Sequence, residues 1–111
     1  MRDDRVRLED IVEAAEAIEK YAVRGRHAFD SDELVQTWIV RHLQIIGEAE
    51  RGLSPAFRER YPDEIWTRAI GMRNIVVHRY FAMDPDAVWD AIERGVRQIK
   101  AKAQTIPSEV R

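Results

Sequence analysis

The chain has 111 residues and a mass of 13.0 kDa, room for one domain around one core. A hydrophobic share of 45% beside a charged share of 34% excludes a disordered chain, and apolar runs of only a few residues exclude a membrane-spanning one. The net charge of −2 selects no partner class, and the absence of cysteine removes disulfides, thiolate metal sites and a cysteine nucleophile.

The opening stretch, MRDDRVRLED, is charged and lacks the apolar core of a signal peptide, so a cytoplasmic setting is expected. Leu8, Ile11, Val12, Ala15, Ile18 and Ala22 then recur at spacings of three and four, which predicts an amphipathic helix ended by Gly25. The following RGRHAFD reads as a loop that leaves His27 on the surface. Asp30 and Glu33 fit a capping box. From there Leu34, Val35, Trp38, Ile39, His42, Ile45, Ile46 and Ala49 predict a second helix running to about Arg51. Ser54-Pro55 restarts a short helix, with serine as cap and proline in its first turn, and Tyr61-Pro62 stops it. A fourth helix is expected from Asp63 with Ile65, Trp66, Ala69 and Ile70. Ile75-Val76-Val77 has strand propensity, but no second strand is offered to pair with it. Asp84-Pro85 repeats the cap-plus-proline device. The last helix carries Val88, Trp89, Ile92, Val96, Ile99 and Ala103 on one face, with Pro107 beyond its end. The fold class is therefore all-α, a four- to five-helix bundle, with residues 1–111 forming a single helical domain. The three tryptophans fall at core spacings and read as packing residues, not as platforms for stacking bases.

Chemistry concentrates late in the chain. From Ile65 to Met83 there are three arginines, Arg68, Arg73 and Arg79, and no acid, a local positive field that fits an anionic ligand or acids supplied from elsewhere in the fold. His42 lies on the apolar stripe of its helix and reads as a partly buried, hydrogen-bonded histidine. No pair of histidines stands four apart, so no metal site and no cofactor are expected. His78 has different company. Asn74 lies one turn before it, Arg73 flanks that face, and Arg79 and Tyr80 follow. Imidazole can take and return a proton near neutral pH, and guanidinium grips phosphate oxygens while keeping its charge. Asparagine can donate to phosphate or fix the imidazole tautomer. These are the parts that metal-independent RNA cleavage needs. On a straight helix, however, Arg73 and His78 point roughly 140° apart. Either the helix breaks near His78, or two copies of the motif meet across a two-fold interface. Taken alone, R-x4-H-x-Y is unspecific, and a helix with one wet face is the plainer reading.

The motif does not stand alone. IGEAE at 46–50, YPDEIW at 61–66, GMRNIVVH at 71–78 and MDPDAVW at 83–89 together resemble the landmarks of the HepT-like ribonuclease toxins of the HEPN superfamily, in that family's order, over nearly the whole chain. The resemblance implies a HEPN-like dimer that cleaves RNA without metal in a groove at the dimer interface, leaving a 2′,3′-cyclic phosphate and a 5′-hydroxyl. It implies that Arg73 holds phosphate, that His78 is the acid–base group, and that Asn74 is an accessory polar residue. Arg79 is not diagnostic. It would add an RNA contact or simply solvate the surface. The resemblance also implies an MntA-type nucleotidyltransferase antitoxin that adds AMP to Tyr80, placing bulk and negative charge in a groove made for RNA. Cellular RNA, with transfer RNA as the first candidate, is the expected substrate. The alternative is a non-catalytic helical module that binds nucleotide or pairs with a nucleotidyltransferase. A plainer one is a bundle whose motif only stabilises a dimer. For Glu48 a structural role is expected.

Overall fold

The computed structural model describes residues 3–63, 66 and 85–106, and among these every regular element is helical. Helix α1 (Asp4–Ala22) and helix α3 (Glu33–Arg51) are 19 residues each, about 28 Å long at 1.5 Å per residue, and lie antiparallel. Their pairing is locked at both ends. Trp38 Nε1, near the start of α3, donates to the Ala17 carbonyl near the end of α1 at 2.8 Å. Asp4, at the start of α1, accepts from Ser54 N at 2.8 Å and Ser54 Oγ at 2.6 Å, just past the end of α3. The core between them is the predicted stripe of α1 (Leu8, Ile11, Ala15, Ile18), with Ala14 added.

Short elements close the bundle. Helix α2 (Arg26–Ser31) occupies the stretch expected to be a loop. Gly25 opens it at φ 92°, ψ 173°, a conformation open essentially to glycine alone. Phe29 then buries against Trp89, their ring centroids 5.6 Å apart, and it is this distant contact that repays a six-residue helix. His27 lies on α2 and is exposed, as expected. The cap of α3 is Asp32, which accepts from Leu34 N and Val35 N, rather than the expected Asp30. Asp30 lies within α2, and its carboxylate is engaged by Arg26 Nε at 2.9 and 3.0 Å. Helix α4 (Pro55–Arg60) begins as the sequence predicts. The Ser54 hydroxyl accepts from Phe57 N at 3.0 Å while donating to Asp4, so one side chain caps α4 and ties it to α1.

After residue 66 the description resumes at α5 (Pro85–Asp90), which continues without a break through a π-helical segment (Ala91–Val96) into α6 (Arg97–Thr105). This rod runs back along α1, with Lys100 paired to Glu19 at 2.9 Å. Val88, Ile92, Val96, Ile99 and Ala103 are buried as predicted. On an ideal α-helix Val88 and Ala103 would have drifted about 60° apart. The wider turns of the π segment take up part of that drift and keep one apolar face on α1. The expected stop at Pro107 and the helix residues Ile65, Ala69 and Ile70 lie outside the described residues.

Candidate functional site

The predicted reactive residues, Arg73, Asn74, His78, Arg79 and Tyr80, lie outside the described residues, as does Arg68. The structure does describe what holds the chain on either side of them. On the N-terminal side Trp66 is 1% exposed. Its indole packs edge-on against Phe57, with ring centroids 5.5 Å apart, and Nε1 donates to the Tyr61 carbonyl at 3.0 Å. Trp66 N donates to the Asp63 carbonyl, and the Asp63 carboxylate meets Lys102 of α6 at 3.2 Å. On the C-terminal side Asp86, in the first turn of α5, accepts from Arg26 at 2.7 Å. That ion pair is solvated, and the apolar hold on this side comes from buried Val88 and from Trp89 against Phe29 in the same helix.

The carboxyl enclosed in the IGEAE stretch is that of Glu50, while Glu48 is exposed. Glu50 has no solvent access. Oε1 faces Arg58 Nη1 at 3.3 Å, and Oε2 is buried without a hydrogen bond. Arg58 is also committed to backbone, donating to the Glu50 carbonyl at 2.6 Å and the Leu53 carbonyl at 3.4 Å. Burial pushes the Glu50 carboxyl up to about 7, against the opposing pull of Arg58. Helical spacing hid this residue, because a glutamate beside Ala49 reads as the polar edge of the helix. The Arg58 that faces it eight residues later was the available signal.

A second polar–aromatic cluster lies on the seam of α1 and α3. The Trp38 and His42 ring centroids are 4.4 Å apart, and Tyr21 meets Trp38 edge-on at 5.4 Å. The His42 Nδ1–H donates to the Trp38 carbonyl at 2.7 Å, which leaves Nε2 as the ring's remaining polar atom. His42 is thus partly buried and hydrogen-bonded, as expected. Trp38 is not the core residue its spacing suggested. It is 38% exposed, whereas Trp66 is enclosed and Trp89 is half-buried against Phe29. The aromatic trio lines an open groove of about 580 Å³ together with Arg24, Leu34 and Arg41. Among the described residues no three His, Asp or Glu side chains gather as a metal site, and no helix is long and apolar enough to cross a membrane.

Comparison with known proteins places these features in a family. The family described as "Ribonuclease HepT-like" matches residues 11–106. "Putative RNase MJ1380" of Methanocaldococcus jannaschii is 33% identical over 106 residues, covering 95% of this chain and 97% of that one. "Probable ribonuclease HepT" of Thermococcus cleftensis is 31% identical over 100 residues, covering 89% and 91%. "Putative RNase TTE0752" of Caldanaerobacter subterraneus subsp. tengcongensis is 30% identical over 107 residues, covering 96% of each. No solved structure matches the chain.

Proposed function

Because this chain belongs to the HepT-like ribonuclease family, we propose that it is a metal-independent endoribonuclease and the toxin of a type VII-like toxin–antitoxin pair. The observation that carries the reading is the family match over 11–106 around an intact R-x4-H-x-Y, here Arg73, His78 and Tyr80. Residues 1–111 act as one domain, in the cytoplasm, as a homodimer. The roughly 140° between Arg73 and His78 on a straight helix is the physical reason for the dimer. A two-fold axis lets both copies of the motif serve one groove.

In that groove a base takes the proton of a ribose 2′-hydroxyl, and the 2′-oxygen attacks the adjacent phosphorus. The 5′-oxygen leaves as it gains a proton. The products are a 2′,3′-cyclic phosphate and a 5′-hydroxyl, with no water consumed. His78 is the acid–base group, its two copies supplying acceptor and donor. Arg73 neutralises the crowded phosphate. Asn74 and Arg79 are accessory RNA contacts. Transfer RNA is the first substrate to try. AMP carried on Tyr80 by an MntA-type nucleotidyltransferase places bulk and negative charge two residues from His78, which blocks and repels RNA together.

The test is incubation of purified protein with total cellular RNA in EDTA, beside His78→Ala, with the intact mass recorded to reveal added AMP. Cleavage by wild type alone, with cyclic-phosphate ends, is expected. Cleavage by His78→Ala at the wild-type rate would remove His78 from the reaction. No cleavage by unmodified wild type would assign the chain to the alternative, a non-catalytic module that binds nucleotide or a nucleotidyltransferase.

A further inference from the structure

The aromatic groove on the α1–α3 seam brings two arginines, Arg24 and Arg41, together with three rings. On other faces several cations are matched. Arg5 faces Glu9, Arg26 faces Asp30 and Asp86, Arg94 faces Asp90, and Lys100 and Lys102 face Glu19 and Asp63. Arg24 and Arg41 in the groove lining, and Lys20 next to it, have no ion pair among the described residues. Lys20 and Arg24 instead approach the Tyr21 ring, the Arg24 guanidinium 4.7 Å from its centroid. The acid that lines the groove, Asp32, already accepts from two backbone N–H groups as the cap of α3. In a chain of net charge −2 the groove lining thus sets Arg24 and Arg41 against the single acid Asp32, a net positive charge beside three aromatic rings.

The rings are held before any ligand arrives. The bond from Trp38 Nε1 to the Ala17 carbonyl fixes the indole, and the bond from His42 to the Trp38 carbonyl fixes the imidazole beside it. A base that stacks there has neither ring left to order. An arginine lying over a tyrosine face still offers its N–H edge to a phosphate oxygen. Leu34, 81% exposed, gives the rim an apolar surface for a sugar or a base face.

We propose that this groove is an RNA-holding subsite, separate in sequence from the R-x4-H-x-Y motif. An unpaired nucleobase stacks on the Trp38–His42 pair while Arg24 and Arg41 take the flanking phosphates. The chemistry is that of single-strand binding, where aromatic faces accept any base and cations follow the backbone. The proposal rests on the ribonuclease reading for its biological sense, but its binding test does not depend on cleavage.

The probe is a fluorescein-labelled single-stranded 2′-O-methyl RNA 12-mer, which lacks the attacking hydroxyl and cannot be cut. Affinity is read by anisotropy across a salt series, and stacking is read by quenching of tryptophan fluorescence on an unlabelled copy. Arg24→Gln/Arg41→Gln should weaken binding roughly tenfold and reduce the slope of log K against log salt by about 1.4, the loss of two single-strand phosphate contacts. Trp38→Phe, which keeps an aromatic ring, should weaken binding several-fold and abolish the quench, since Trp66 is enclosed and Trp89 packs on Phe29 outside the groove lining. Sedimentation is run on every variant. Binding within twofold of wild type by the double arginine variant overturns the proposal. So does a loss of affinity that coincides with a change in sedimenting mass, which would make the groove a contact between protein chains. Failure of the ribonuclease reading shows separately, as intact 2′-hydroxyl RNA after incubation with unmodified wild type, while the 12-mer still binds.

Discussion

Glu50→Gln should make the protein's stability less dependent on pH, and the structure gives the sign and the size. In the unfolded chain the carboxyl ionises near its ordinary value of 4.5, and in the folded protein, where it is enclosed, near 7. Between these values the native state holds one proton more than the unfolded state, so stability falls as pH rises and the slope ends above about 7. Each tenfold step in protonation is worth ~1.4 kcal/mol, so the interval amounts to ~3 kcal/mol. Arg58 is the opposing influence. At 3.3 Å its attraction is real, but the guanidinium is partly committed to the Glu50 and Leu53 carbonyls, and Oε2 has no donor. Desolvation therefore wins. The assay is urea unfolding, followed by tryptophan fluorescence, of wild type and Glu50→Gln from pH 4.5 to 8. At the acid end the neutral carboxyl resembles the amide, which sets a baseline offset. The stability of wild type relative to the variant should then fall by ~3 kcal/mol up to pH 7.5. A difference that stays level, or rises with pH, would mean that the Arg58 pair dominates and that the burial argument is wrong.

Two further outcomes follow from the geometry. Trp66→Ala removes an enclosed indole, its edge-on contact with Phe57 and the donor to the Tyr61 carbonyl, and should cost about 3–5 kcal/mol in urea unfolding. Trp66→Phe, which keeps most of the packing, should lose less than half of that, and equal losses would show that packing is not what holds this flank. Gly25→Ala meets no atom within 4 Å but must adopt φ near 92°, so it should destabilise by about 1–3 kcal/mol through backbone strain alone. An unchanged unfolding midpoint would show that the turn into α2 is soft.

The sequence by itself determined the helices and their punctuation. Periods of three and four residues, the Ser54-Pro55 start and the shared face of Val88, Ile92, Val96, Ile99 and Ala103 depend on neighbours a turn away, and those are written in the chain. The reactive motif was legible for the same reason, since Arg73, Asn74, His78 and Tyr80 fall within eight residues. What tertiary structure alone decided are features that need partners far along the chain. Helix α2 exists because Phe29 meets Trp89 across sixty residues of sequence. Asp32 caps α3 because Arg26, placed by that same helix, takes Asp30. Glu50 is enclosed because α4 folds Arg58 back over the end of α3, and Trp38 stays partly in water beside Tyr21 because no other described element covers the seam there. Periodicity tells which residues share a face. Whether that face meets another helix or water depends on where the rest of the chain goes, and burial, charge state and stacking follow from that.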